Sequence, residues 1–253
     1  MRMLLGVLGT VLPVAAVLLV ATDAPSWPLA AGRAPSPLAA AVDPTSGAGA
    51  AEVATVDPAS IAGAAPGDAT RDDDPDSGSE LLGRAAPVWS FDRWVRGPAV
   101  TLADLRGKVV LVRWWTEDCH FCAHTLPALE KLRKERADRG LVVIGVFHPK
   151  PPREVGDRHI LEVAKKLGFT GPIALDRDWT TLGRYWLDDH PDRNWTSVSF
   201  LIDREGRIRW VHGGGEYHPS SDPRHERCDL EYRELERVLS AVLGESAQPT
   251  SIR

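Results

Sequence analysis

The sequence predicts an α/β domain: a mixed central sheet with helices on both faces. Three features predict it. Val109–Trp115 and Leu141–Phe147 are apolar, β-branched runs separated by a stretch of helical period. Val198–Ile202 and Arg207–Val211 flank Asp203-Arg204-Glu205-Gly206, the signal of an antiparallel hairpin. The chain from about Arg224 to Leu243 then spaces apolar residues as one helix face does.

The elements follow in order. Val109–Trp115, bounded by Gly107, reads as a strand buried on both sides. Leu126, Leu129 and Leu132 recur every three residues beside Glu130, Lys131, Arg133, Lys134 and Glu135, and Gly140 ends this amphipathic helix. Leu141–Phe147 completes a βαβ unit, whose strands are parallel with a right-handed crossover. A second helix spans His159–Leu167 and stops at Gly168. Pro172–Leu175 is extended, and Trp179–Trp186 is a short helix. The hairpin and the closing helix come last. Leu230, Leu235, Val238, Leu239 and Val242 form the apolar face of that helix.

The chain has 253 residues, 43% hydrophobic and 26% charged, so a real core is available. Three cysteines are too few for a disulfide-stapled scaffold. A net charge of -5 gives no support to a general nucleic-acid or anionic-membrane binder. Composition is uneven, however. Met1-Arg2-Met3 precedes the uncharged run Leu4–Ala21, and small residues follow near position 24. Residues 1–24 therefore read as a secretory signal peptide or, since the run is just long enough to span a bilayer, a membrane anchor. Either places the folded part outside the cytoplasm, periplasmic or secreted, with residues 4–21 as a possible tether. Residues 25–80 are rich in Ala, Pro and Asp and lack apolar periodicity, as a disordered linker does. The domain is expected over 81–245, with a flexible tail at 246–253.

The chemistry centres on Cys119-His120-Phe121-Cys122, placed where the first strand gives way to the first helix. A C-x-x-C there lets the two sulfurs close a disulfide, while free N–H groups and the helix dipole favour a thiolate. The thiolate is the attacking species in disulfide exchange. Cys119 is then the nucleophile and Cys122 the resolving thiol. Glu117 and Asp118 work against the thiolate, which favours a reductant over an oxidant, and a protonated His120 would offset them. A structural disulfide or half of a zinc site is the competing reading. His120, His124 and Cys228 show no standard zinc spacing, so no metal ligand is assigned.

Val109–Leu132 resembles the active-site segment of the thioredoxin-like disulfide reductases of the TlpA/ResA type, which are exported or membrane-anchored bacterial proteins. Trp114-Trp115 matches the family's aromatic pair before the C-x-x-C, and Pro127 matches the proline of its first helix. Leu102–Lys108 resembles its "L-x-D-L-x-G-K" lead, Gly140–Val146 its third strand, and Phe200–Ile208 its "F-L-I-D-x-x-G-x-I" hairpin. The resemblance covers about Ala86 to Leu243. It implies a thioredoxin fold with an insertion between the βαβ unit and the hairpin. It also implies thiol–disulfide exchange on exported proteins, such as cysteines of apo-cytochromes or copper sites. Protein thiol and disulfide substrates and an upstream electron donor are the expected partners, with no nucleic acid, on a monomer. No cofactor beyond the Cys119–Cys122 disulfide is expected.

Two departures from the family stand out. Asp118 replaces the usual Trp before the first cysteine. Ser197, in Trp195-Thr196-Ser197-Val198, replaces the cis-proline that faces the C-x-x-C. A cis bond before a non-proline costs about 2.5–4 kcal/mol, so Thr196–Ser197 is expected to be trans. Thr196 holds the position whose backbone meets a bound peptide in the family. Loss of the proline also opens space near the sulfurs, which admits a copper-binding module using Cys119, Cys122 and a His as the alternative function. Trp115 is expected beside the disulfide. His124 is expected to face solvent, and Cys228 to be a half-buried inert thiol. Gly213–His218 reads as a tight loop near the active-site face, and Asn194-Trp195-Thr196 matches a glycosylation acceptor. A peroxide-reducing enzyme on the same fold ranks last, because Val112 stands where the P-x-x-x-T-x-x-C pattern needs its proline, although Thr116 holds the threonine position before Cys119.

Overall fold

The computed structural model describes residues 77–193 and 195–244. The expected signal segment, most of the linker, the tail at 246–253 and Asn194 of the glycosylation match lie outside them. One six-stranded sheet organises the described residues. Its strands are β1 (Arg93–Arg96), β2 (Val109–Trp115), β3 (Leu141–Phe147), β4 (Ile173–Leu175), β5 (Ser199–Ile202) and β6 (Ile208–His212), in the spatial order β1-β4-β3-β2-β5-β6. β2, β3 and β4 run parallel, while β5, β6 and β1 are antiparallel to their neighbours. The sheet is therefore mixed, as the sequence predicts. β2 lies at its centre, in register with β3 from Val109↔Leu141 to Trp115↔Phe147 and with β5 from Val110↔Ile202 to Arg113↔Ser199.

Every residue of β2 and β3 is buried, which explains their continuous apolar runs: both faces are covered. α1 (Cys122–Arg136) crosses from β2 to β3. A tight turn, Ala137–Arg139, then leads to Gly140, whose φ of 92° ends the segment. The sequence places the helix end at Gly140 directly; the intervening turn is the difference. α2 (Asp157–Lys166) stops before Gly168, with φ 73°. The expected short helix divides into α3 (Thr180–Leu182) and a widened turn, Gly183–Leu187. Buried Asp176 explains why α3 starts there: its carboxylate accepts the Thr181 and Leu182 N–H groups and the Trp114 indole N–H.

α4 (Glu226–Gly244) closes the fold by burying Tyr232, Leu235, Leu239, Val242 and Leu243. Leu230, expected on this face, is 57% exposed. The buried stripe runs 232, 235, 239, 242, and Leu230 points away from it. Successive residues of β2 feed opposite cores. Val109, Leu111 and Trp115 join Leu126, Leu129, Leu235 and Leu239 on one side. Trp114 packs against Tyr185 and Phe200 on the other. β1 has no counterpart in the sequence reading. Arg-Trp-Val-Arg is half-exposed along its length and carries charge, so it lacks an apolar signature and exists through pairing with β4. A short turn at Ser79–Leu81 packs on the domain, where Glu80 pairs with the buried Arg193.

Candidate active site

The carboxyl end of β2 releases the chain into Thr116–Phe121, and α1 begins at Cys122. Asp118 bridges this turn with a left-handed φ of 55°, a conformation Asp tolerates better than bulkier residues. Cys119 and Cys122 form a disulfide with Cα atoms 5.3 Å apart. Cys122 is fully buried in the core that contains Trp115, while Cys119 is partly exposed at its edge. The Cys122 backbone N–H donates to Cys119 Sγ at 3.2 Å, so the first sulfur sits on the amino-terminal amides of a 15-residue helix.

Ser197 faces this pair. Its Oγ lies 3.6 Å from Cys119 Sγ and 3.7 Å from Cys122 Sγ. Thr196 and Ser197 are both buried, and their peptide bond is trans; the cis bond among the described residues is Lys150–Pro151. The space left by the missing proline thus holds a hydroxyl. Trp115 is fully buried and packs edge-on to Phe147 at 4.9 Å. Gly145 opposite must be glycine, since a Cβ there would lie 2.8 Å from the Trp115 Nε1. His120 is exposed and meets Phe121 and His124 edge-on. Pro127 lies inside α1, exposed and beside Gly168.

The acidic flank is neutralised on one side. Glu117 pairs with both Arg153 and His159, which arrive from the segment after β3. Only tertiary structure brings these two side chains to residue 117. Arg113 is a second feature the sequence reading passed over. It is fully buried on β2 and donates to the Gly215 carbonyl at 2.8 Å and to Ser199 Oγ at 3.3 Å, with its guanidinium 5.6 Å from the Tyr217 ring centre. Ser199 Oγ bonds in turn to the Tyr217 hydroxyl at 2.8 Å. A lone Arg inside an apolar run was the available signal. It ties the Gly213–Tyr217 loop to the strand beneath the disulfide.

That loop borders the site as expected. Gly214 is forced by close approach, because a Cβ would meet Trp195 at 2.3 Å. Phe121, Trp195, Gly214 and Gly215 line an open groove of about 720 Å³. Phe121 and half-exposed Trp195 touch edge-on in its wall, ring centres 5.6 Å apart. His124 is exposed, as expected, and its Nδ1 also lies 2.6 Å from Glu216 Oε2. Cys228 lies on the buried side of α4, beside Glu216 and His225 rather than the disulfide. Burial, with Glu216 and Glu231 nearby, pushes its thiol pKa up, so it is a poor candidate for a second resolving thiolate.

Residues 82–211 match the model of the AhpC/TSA family. The chain belongs to the AhpC/TSA family. Within it, the chain is a thioredoxin-like protein of the TlpA/ResA type, as the motifs imply. Protein DipZ of Mycobacterium bovis is 32% identical over 142 residues, which span 54% of this chain and 20% of DipZ, so this AhpC/TSA chain corresponds to only a part of that longer protein. The thioredoxin-like protein YneN of Bacillus subtilis is 30% identical over 52% of this chain and 71% of its own length. The thiol–disulfide oxidoreductase ResA of Halalkalibacterium halodurans is 26% identical over 48% and 62% respectively. A solution structure of a candidate protein disulfide isomerase from Bacteroides thetaiotaomicron superimposes with a TM-score of 0.51 at 27% identity, covering 65% of this chain and 91% of that one. The fold is thus the thioredoxin fold.

Proposed function

We propose that the chain is an extracytoplasmic thiol–disulfide oxidoreductase that reduces disulfides of exported proteins through Cys119 and Cys122. The observation that carries this reading is the pair itself: one sulfur buried, the other at the surface on the amino end of α1. In the reduced state the Cys119 thiolate attacks a substrate disulfide, and the S–S bond breaks with one substrate thiolate leaving. Cys122 then loses its proton and attacks Cys119 Sγ, which closes the Cys119–Cys122 bond and releases the second substrate thiolate. Substrate gains two electrons, and the pair is oxidised. An upstream dithiol donor reverses the exchange.

Each neighbour has a part. Helix amides and the Ser197 hydroxyl stabilise negative charge on sulfur. Arg153 offsets Glu117, which His159 also contacts, and leaves Asp118 as the acid of the flank without an ion pair among the described residues. The groove lined by Phe121, Trp195, Gly214 and Gly215 receives the polypeptide that carries the substrate disulfide. The basic start and the uncharged run Leu4–Ala21, read as a leader, support a location outside the cytoplasm. Among the described residues no helix is long and apolar enough to cross a membrane.

The test is turnover of an insulin-type disulfide substrate with a dithiol reductant. Cys119→Ser abolishes it, and Cys122→Ser accumulates a mixed disulfide visible on a non-reducing gel. Normal turnover by both variants would overturn the reading. The reduction potential of the pair decides direction: near about -270 mV marks a reductase and near about -120 mV an oxidant.

A further inference from the structure

A second cluster of reactive side chains lies outside the disulfide. Glu216 and His218 come from the loop after β6, His225 from the turn that enters α4, and Cys228 from its first turn. One ligand atom from each falls within 4.8 Å of all the others. His225 Nδ1 is 3.4 Å from Glu216 Oε1, and Cys228 Sγ is 3.7 Å from both. Around zinc, bonds of about 2.0–2.3 Å in a tetrahedron set neighbouring ligand atoms about 3.3–3.8 Å apart. These three atoms therefore already outline one face of such a tetrahedron.

The fourth residue is oriented for the same purpose. His218 Nδ1 stands 3.2 Å from the Pro219 carbonyl oxygen. A carbonyl can only accept, so Nδ1 is the donor there and Nε2 is the ring nitrogen left to face an ion. That Nε2 is buried without a hydrogen-bond partner among the described residues, 4.0 Å from Glu216 Oε2. Anchoring one imidazole nitrogen on a carbonyl while the other faces the ion is how metal-binding histidines are held. His124 Nδ1, 2.6 Å from Glu216 Oε2, steadies the carboxylate from α1.

We propose that Glu216, His218, His225 and Cys228 form a tetrahedral zinc site. One thiolate, two imidazoles and a carboxylate suit a borderline-soft divalent ion and not magnesium or calcium, which prefer oxygen. Binding forms the zinc–sulfur bond as the Cys228 thiol releases its proton to solvent. Four protein ligands leave no open position, so the role is structural. The ion fastens the Gly213–His218 loop to α4, and through His124 to the helix that carries the disulfide. This site shares no residue with the Cys119–Cys122 pair and stands whether or not the redox reading does. It is also distinct from the copper alternative, which draws on Cys119 and Cys122.

The test uses the full chain with the Cys119–Cys122 disulfide closed, where Cys228 is the remaining thiol of the three cysteines. Zinc(II) is titrated in competition with a chromogenic chelator, and cobalt(II) is followed by absorption. A single tight zinc equivalent is expected, with a cobalt–thiolate charge-transfer band and slowed alkylation of Cys228. Cys228→Ser loses the band, and His124→Ala weakens zinc binding by roughly tenfold. The Cys119→Ser/Cys122→Ser double variant keeps both. Circular dichroism checks that the variants fold. Absence of zinc uptake by the oxidised chain, or uptake lost in the double variant and kept in Cys228→Ser, would overturn the proposal.

Discussion

Ser197 places its hydroxyl oxygen 3.6 Å from Cys119 Sγ, at the position that the family resemblance assigns to a cis-proline. A hydroxyl can donate to a thiolate, and a hydrogen bond to the charged form lowers a pKa. Bonds to charged groups contribute about 1.5–3 kcal/mol, less where sulfur accepts, so roughly one pKa unit is at stake. Ser197→Ala should raise the Cys119 thiol pKa and cut its thiolate fraction at neutral pH by up to about tenfold. The pH dependence of iodoacetamide alkylation reads this directly. An unchanged profile would remove Ser197 from the thiolate's support.

Arg153 should matter through Glu117 alone. Arg153→Ala leaves Glu117 with only His159 two residues before Cys119. The less compensated negative charge disfavours the thiolate, so the Cys119 pKa rises by a few tenths of a unit. The shift should fade near 1 M salt, where screening shortens to about 3 Å. An effect that survives high salt would point to a conformational cause instead.

Glu130 supplies a stability test away from the site. Burial alone would raise its carboxyl pKa, but hydrogen bonds from Arg133 and Thr170 outweigh that and hold it down at about 2. A depressed carboxyl pKa contributes stability above its unfolded value, and loses it as pH falls from about 5 towards 2. Glu130→Gln should cost about 1–3 kcal/mol near neutrality. Urea denaturation of both proteins from pH 6 to pH 3 should show that gap shrink; a constant gap would contradict the ionic origin.

His148 should act with the same sign through the opposite kind of group. Burial first, then the nearby Lys150 and Arg113 charges, lowers its pKa to about 3. The unfolded chain therefore binds a proton that the fold refuses, and stability falls as pH drops from about 6.5 towards 3. His148→Leu should flatten the stability curve in that window by up to one proton, about 1.4 kcal/mol per pH unit. An unaltered slope would show that His148 protonates in the fold.

Much of this molecule was legible from its one-dimensional pattern. β2 and β3 were read to their terminal residues, because a strand buried on both faces must be apolar throughout. The placement of Cys119 and Cys122 at a strand-to-helix junction was equally plain. β1 was missed because a half-exposed edge strand keeps its charges, and Leu230 was misplaced because a helical face is fixed by what packs on it. Cys228, a lone cysteine more than a hundred residues from Cys122, carried no spacing signal at all.

The sequence by itself determined the fold class, the family and the C-x-x-C chemistry, since these depend on local period, turn residues and short spacings. Only the tertiary structure decided the electrostatics and the ligand geometry. It set Arg153 and His159 on Glu117, the Ser197 hydroxyl against both sulfurs, and Glu216, His218, His225 and Cys228 around one point. The physical reason is range. Periodicity is written into neighbouring residues, whereas charge pairing, burial and coordination act across a few ångströms of space between segments far apart in the chain.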